Sequence, residues 1–237
     1  MKRYLYALEE ERFYELLTEL KTGAEVVKRE GGKVYFYLYE PVKGLKPVKV
    51  EEAPPYEERP EFGPVSAGPF VIVPPWKKVI KVKPGMAFGT GLHPTTRLCL
   101  ELLSRRLKKG DRVLDLGTGS GVLAVAAKLL GAGEVLALDV SPEAVRECKE
   151  NARINRVKIT CLEGSLERAE GVFDLVLANL ELPIFENLLS RLLEKGSRFI
   201  LSGVYGKKEL NRLYELLGRE ADELAEEDGW YAVYLER

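Results

Sequence analysis

The sequence predicts an α/β protein in which a doubly wound, mostly parallel sheet follows a small α+β module. Three observations carry that reading. From Arg112 onward, strand-length apolar runs alternate with helix-length amphipathic runs, the pattern of a sheet with helices on both faces. The first of those strands leads through Gly117, Gly119 and Gly121 into a helix. Nine of the 13 prolines fall between Pro41 and Pro75. Proline fixes φ and drives its predecessor toward extended conformations, so residues 41–69 read as a semi-rigid linker.

In the first module, Tyr4, Tyr6 and Leu8 alternate on one face of a strand. Phe13, Leu16, Leu17 and Leu20 then recur at helical spacing over residues 9–21, with Glu9 to Glu11 where the helix dipole favours acids. Residues 24–29 and the aromatic-rich 33–40 read as strands joined at Gly31-Gly32. The expected order is β-α-β-β, and about 55 residues form only a marginal independent core. The expected domains are 1–55, a linker over 56–69, and 70–237. Residues 70–83 read as two short strands that open the large module.

Strands are expected at 112–116, 134–138, 157–162, 173–178 and 198–201. Helices are expected at 97–107, 121–130, from Ser141-Pro142-Glu143, and at 183–193 and 206–217. Ser141 suits a cap, Pro142 the first helical position and Glu143 the positive end of the dipole. The tail from Glu223 reads as a hairpin through Asp228-Gly229, an antiparallel addition that mixed sheets allow.

Composition excludes several functions. Of the 237 residues, 31% are charged, yet 36 bases against 37 acids leave a net charge of −1. That argues against disorder and against a nucleic-acid binder relying on bulk charge. One His and three scattered cysteines, Cys99, Cys148 and Cys161, make a poor metal site and argue against disulfides. The expectation is a cytoplasmic, monomeric protein without membrane span or signal peptide. Abundant Glu and Lys with no Gln suggest a hot-adapted source.

The chemistry lies in two loops. Glycines at 117, 119 and 121 let the backbone approach a ligand, and the helix that follows offers unpaired N–H donors. Asp139 ends the second strand of the large module, where a carboxylate suits ribose hydroxyls. A dinucleotide fingerprint would need Gly at position 122, which is Val122. The G-x-G-x-G loop instead resembles motif I of class I S-adenosylmethionine-dependent methyltransferases. Upstream, residues 84–96 read PGMAFGTGLHPTT and hold the single histidine, His93. Hydroxyls and orphan N–H groups there suit a carboxylate, and Phe88 suits a sulfonium.

FGTGLHPTT, DLGTGSGVLA, LALDVSPEAV and DLVLANL occur in that order, and together they resemble the ribosomal protein L11 methyltransferase family (PrmA). The resemblance covers residues 84–203. It implies an α/β, seven-stranded Rossmann-like class I methyltransferase domain with a small α+β N-terminal domain, which reads either as a structural appendage or as a substrate-recognition module, since a separate domain on a proline-rich arm can position a large partner. It also implies transfer of methyl groups from S-adenosyl-L-methionine to Lys and N-terminal amines of ribosomal protein L11, the protein partner. Cofactor contacts carry over to Thr96, Gly117, Asp139 and Asn179, with Phe88, Gly89, His93, Thr95, Gly119 and Ser165 as neighbours. Neither a metal nor direct nucleic-acid contact is implied.

Asn179 and the Leu180 carbonyl, just after the fourth strand, are expected to accept amine hydrogens and aim the lone pair. His93 is expected in the cofactor pocket. Family members often read A-N-I-L-A here, whereas this chain has Glu181 after Leu180. Glu181 reads either as an attractor of cationic Lys or as a first-turn helix acid, and Pro183 favours the second. The alternative functions are methylation of another protein or small-molecule amine, and a non-catalytic scaffold. The absence of an N/D-P-P-Y/F signature argues against nucleobase or Gln-amide substrates.

Overall fold

The structure is a computed structural model describing residues 2–20, 24–53, 64–73, 77–83, 85, 88–89 and 91–237. It divides into two compact units, Met1–Pro75 and Trp76–Arg237.

The first unit is a four-stranded antiparallel sheet backed by one helix. Its elements are β1 (Lys2–Glu9), α1 (Glu10–Glu19), β2 (Glu25–Glu30), β3 (Lys33–Leu38) and β4 (Lys49–Glu52), in spatial order β2-β3-β1-β4. Pairing places Tyr6 opposite Phe36. Their rings stack at 5.8 Å and Phe13 meets Phe36 at 4.8 Å, which centres the small core. β4 adds a strand to the expected β-α-β-β order. It lies on the sheet edge, where neighbouring prolines are tolerated, and Arg3 of β1 pairs with Glu51 at 2.7 Å. The expected linker overlaps β5 (Val65–Ala67), which forms a hairpin with β6 (Phe70–Ile72). Residues 56–63 of that linker lie outside the described residues.

The second unit holds α2 (Pro94–Arg106), β7 (Arg112–Leu116), α3 (Val122–Leu130), β8 (Glu134–Asp139), α4 (Pro142–Ile154) and β9 (Thr160–Glu163). After these come β10 (Leu175–Asn179), α5 (Leu182–Leu193), β11 (Arg198–Tyr205), α6 (Gly206–Leu217), β12 (Glu223–Glu227) and β13 (Trp230–Glu236). The seven strands run β12-β13-β11-β10-β7-β8-β9. β7 to β11 are mutually parallel, whereas β13 runs antiparallel to both β11 and β12. Alternate strand residues feed two cores. Val113, Leu175 and Ile200 face α2 and α3, while Leu114, Val176 and Phe199 face α5 and α6. Burial on both faces explains why these strands read as continuous apolar runs.

Three expectations need correction. Helix α2 starts at Pro94 rather than Arg97, because Pro at the first helical positions costs no hydrogen bond. Residues 77–83 form no strand. Asn151 Oδ1 accepts the Lys83 amide at 2.9 Å, and Asn155 Oδ1 accepts the Lys81 amide at 2.8 Å, so side chains replace a ladder. Cys148 and Cys161 form a disulfide with Cα atoms 6.5 Å apart. Spacing along the chain concealed that α4 lies against β9.

At the amino ends of the strands, a buried ion pair joins Arg198 to Asp111 at 2.7 Å. The guanidinium also donates to the Arg106 carbonyl, and Asp111 accepts the Lys108 amide. Removing one partner strands a buried charge. Arg198→Ala is therefore expected to lose about 3–5 kcal/mol in chemical denaturation, with part of it recovered by adding Asp111→Asn.

Candidate active site

The chain leaves β7 for β8 on one side of the sheet and reaches β10 on the other, so β7 and β10 flank the switch point where α/β sheets bind ligands. The amides of Gly117 and Thr118 both bond the Leu138 carbonyl, tying the glycine loop to the end of β8. Gly119 has φ +54°, and a Cβ there would strike the Phe88 carbonyl. Asp139 accepts the Gly119 amide and the Ser141 amide, both at 2.9 Å. Asp115 is fully buried beneath the loop. Burial pushes its carboxyl up to about 6 against the opposing hydrogen bond from Thr118 Oγ1 at 2.6 Å.

The upstream loop is fastened to this turn. Ser120 donates its amide to the Phe88 carbonyl at 2.9 Å and its hydroxyl to the Gly89 carbonyl at 2.7 Å. Buried Asn151 donates to the Ser120 carbonyl at 2.8 Å. With its other bond to Lys83, this one side chain holds both loops. Pro84, Met86, Ala87 and Thr90 lie outside the described residues.

His93 caps α2, its Nδ1 accepting the Thr95 amide at 3.3 Å and lying 2.8 Å from Thr95 Oγ1. Asn179 Nδ2 donates to the same hydroxyl at 3.1 Å. This chain orients the Asn179 amide, and its Oδ1 has no partner among the described residues. An aromatic row runs beside it. Phe88 lies 5.1 Å from His93, His93 4.6 Å from Trp230, and Trp230 5.1 Å from Tyr205.

These groups converge on a cavity of about 840 Å³, within the range of ligand sites. Phe88, His93 and Thr95 line it from upstream, and Gly117, Gly119, Asp139 and Ser165 from the glycine-loop side. Asn179 and Leu180 line it from the end of β10. Neither Gly89 nor Thr96 is among the described lining residues. Thr96 is fully buried, and its hydroxyl has no hydrogen-bond partner among the described residues. The lining includes the carboxylates of Asp139, Glu143 and Glu181 but no Lys or Arg.

Trp230 and Gly203 are among the lining residues that the sequence did not reveal. Trp230 reaches the cavity because Asp228 and Gly229, at φ +53° and +79°, turn β12 back so that β13 starts opposite Tyr205. Only the turn itself was readable. Gly203 sits at a register shift in β11, with φ +99°. A Cβ there would collide with the Leu180 carbonyl, so this bulge leaves room for that backbone.

A seven-stranded sheet with one reversed strand, a glycine loop at its switch point and an acid ending the next strand define a class I methyltransferase. The family described as Ribosomal protein L11 methyltransferase (PrmA) matches residues 51–237. A ribosomal protein L11 methyltransferase from Aquifex aeolicus (strain VF5) is 46% identical over 241 residues, spanning 100% of this chain and 98% of its own. The crystal structure of a ribosomal protein L11 methylase from Lactobacillus delbrueckii subsp. bulgaricus is 35% identical, with a TM-score of 0.59 over 68% of this chain and 86% of that one. A T. thermophilus 16S rRNA N2 G1207 methyltransferase (RsmC), in complex with AdoMet and guanosine, shares the fold at 22% identity. Its TM-score is 0.55 over 99% of this chain and 64% of that one. The chain belongs to the ribosomal protein L11 methyltransferase (PrmA) family.

Gly203→Ala is expected to displace the Leu180 carbonyl and lower kcat by about tenfold or more, on the scale of misplaced reacting groups. Cofactor binding, followed by calorimetry, should change less than twofold, as roughly expected when only transition-state contacts are lost.

Proposed function

We propose that this chain transfers methyl groups from S-adenosyl-L-methionine to Lys and N-terminal amines of ribosomal protein L11. The observation carrying the chemistry is the pair of oxygens at the end of β10, Asn179 Oδ1 and the Leu180 carbonyl, with the first oriented through Thr95 and His93.

The residues present fit the cofactor. A cavity lined by Asp139 and Glu143, with no Lys or Arg among its described lining residues, suits a cationic sulfonium. Asp139 suits the ribose hydroxyls, and Gly117, Gly119 and Ser165 allow close approach of a ligand. Thr95 and His93, which line the cavity at the N-terminus of α2, suit a carboxylate. Phe88 and Gly89 belong to the loop above. When bound, the cofactor supplies an electrophilic methyl group.

The acceptor must be a neutral amine, whereas free Lys has a pKa of about 10.4. Leu180, Ile184, Leu188 and Trp230 offer apolar surroundings that disfavour the ammonium form. Asn179 Oδ1 and the Leu180 carbonyl accept the two amine hydrogens and direct the lone pair. Such alignment supplies about 7–11 kcal/mol in well-oriented systems. No side chain is required as a strong base.

The first unit is assigned to recognition of L11. The net charge of −1 supports a protein substrate over one gathered by a basic field. A variant lacking residues 1–53 is expected to bind cofactor normally yet lose most transfer to L11. Undiminished transfer would refute the assignment.

Mass spectrometry of L11 incubated with enzyme and cofactor should show added methyl groups. Asn179→Ala should cut kcat by about a hundredfold, a larger effect than on cofactor affinity. Full turnover by that variant would rule out the aligning role.

A further inference from the structure

Among the described residues, Glu181 is the cavity carboxylate that no other group engages. Asp139 is held by the Gly119 and Ser141 amides. Glu143 is paired with Arg146 at 2.7 Å and lies 3.5 Å from the Ser141 hydroxyl. Glu181 occupies the N-cap position of α5, where a shorter Asp, Asn, Ser or Thr side chain would accept a first-turn amide. Its side chain makes no such bond. The Ile184 amide bonds the Glu181 backbone carbonyl instead, at 3.0 Å. Among the described residues, the Glu181 carboxylate has no hydrogen-bond or ion-pair partner. It is exposed, lines the cavity, and follows directly on Asn179 and Leu180.

We infer that Glu181 is a specificity-determining residue that recruits the acceptor amine as its ammonium ion at the mouth of the cavity. This inference rests on the reading of the chain as an amine methyltransferase. Acceptor amines arrive protonated near neutral pH. An exposed carboxylate attracts them by a screened Coulomb interaction, and the apolar walls beyond it then favour loss of the proton. The Asn179 and Leu180 oxygens meet the amine after that loss. Glu181 thus contributes to capture and not to the transfer step. A carboxylate beside the reacting nitrogen would stabilise the ammonium and oppose deprotonation, so its place at the rim is the productive one.

The test is steady-state methylation of L11 by the full-length protein and by Glu181→Gln and Glu181→Asp, at low salt and at about 0.5 M salt, where screening is nearly complete. Glu181→Gln should raise KM for L11 by about threefold to tenfold at low salt, the scale of exposed charge pairs, with kcat unchanged. Glu181→Asp should retain most of the affinity. The difference between the unaltered protein and Glu181→Gln should vanish at high salt, which a purely structural role of the helix cap would not produce. An unchanged KM at low salt, in an enzyme whose unaltered form methylates L11, would overturn the role of Glu181 alone. Absence of L11 methylation by the unaltered protein would overturn the substrate reading and this inference with it.

Discussion

Where the chain leaves β10, the Leu180 side chain fills the space that a Cβ on Gly117 would need. Its carbonyl fills the space that a Cβ on Gly203 would need. Its amide bonds the Ser202 carbonyl at 2.9 Å, continuing the pairing with β11. One residue is therefore fixed from three directions, by the glycine loop after β7, by the bulge in β11 and by the last bond of the sheet. Asn179, immediately before it, inherits that position, and Thr95 completes the fit by holding the amide nitrogen. The placement of Asn179 and Leu180 thus depends on two glycines, Gly117 making room for the Leu180 side chain and Gly203 for its backbone.

The same logic holds the glycine-loop side of the cavity. The glycine loop is clamped below by Leu138 and above by Phe88 and Gly89 through Ser120. Asn151 of α4 extends the clamp to Lys83. Ser120 and Asn151 thus tie Phe88, Gly89 and Lys83 to the glycine loop. Rigid support of this kind lets a site act by position instead of by a strong acid or base. It also explains why the single histidine serves here as a helix cap and a link to Asn179.

Much of this was legible in the chain. Strand and helix alternation, the glycine loop and Asp139 depend on local pattern, and the structure places them as a doubly wound sheet with its cavity at the carboxyl ends. The site features that escaped are long-range. Trp230 is ordinary in its own hairpin and gains meaning only because β13 is inserted beside β11. Gly203 reads as a glycine in a strand until the bulge brings it against Leu180. The Cys148–Cys161 bond and the double role of Asn151 need α4 to cross both loop and strand. Edge strand β4 escaped because its pairing with β1, and not its own alternation, makes it a strand.

The role given to Asn179 and Leu180 is tested most directly by a crystal structure of the protein bound to L11 and S-adenosylhomocysteine. The acceptor nitrogen should lie within hydrogen-bond distance, about 2.7–3.2 Å, of both Asn179 Oδ1 and the Leu180 carbonyl. An acceptor nitrogen that reaches the cofactor while lying beyond contact with both oxygens would contradict the account.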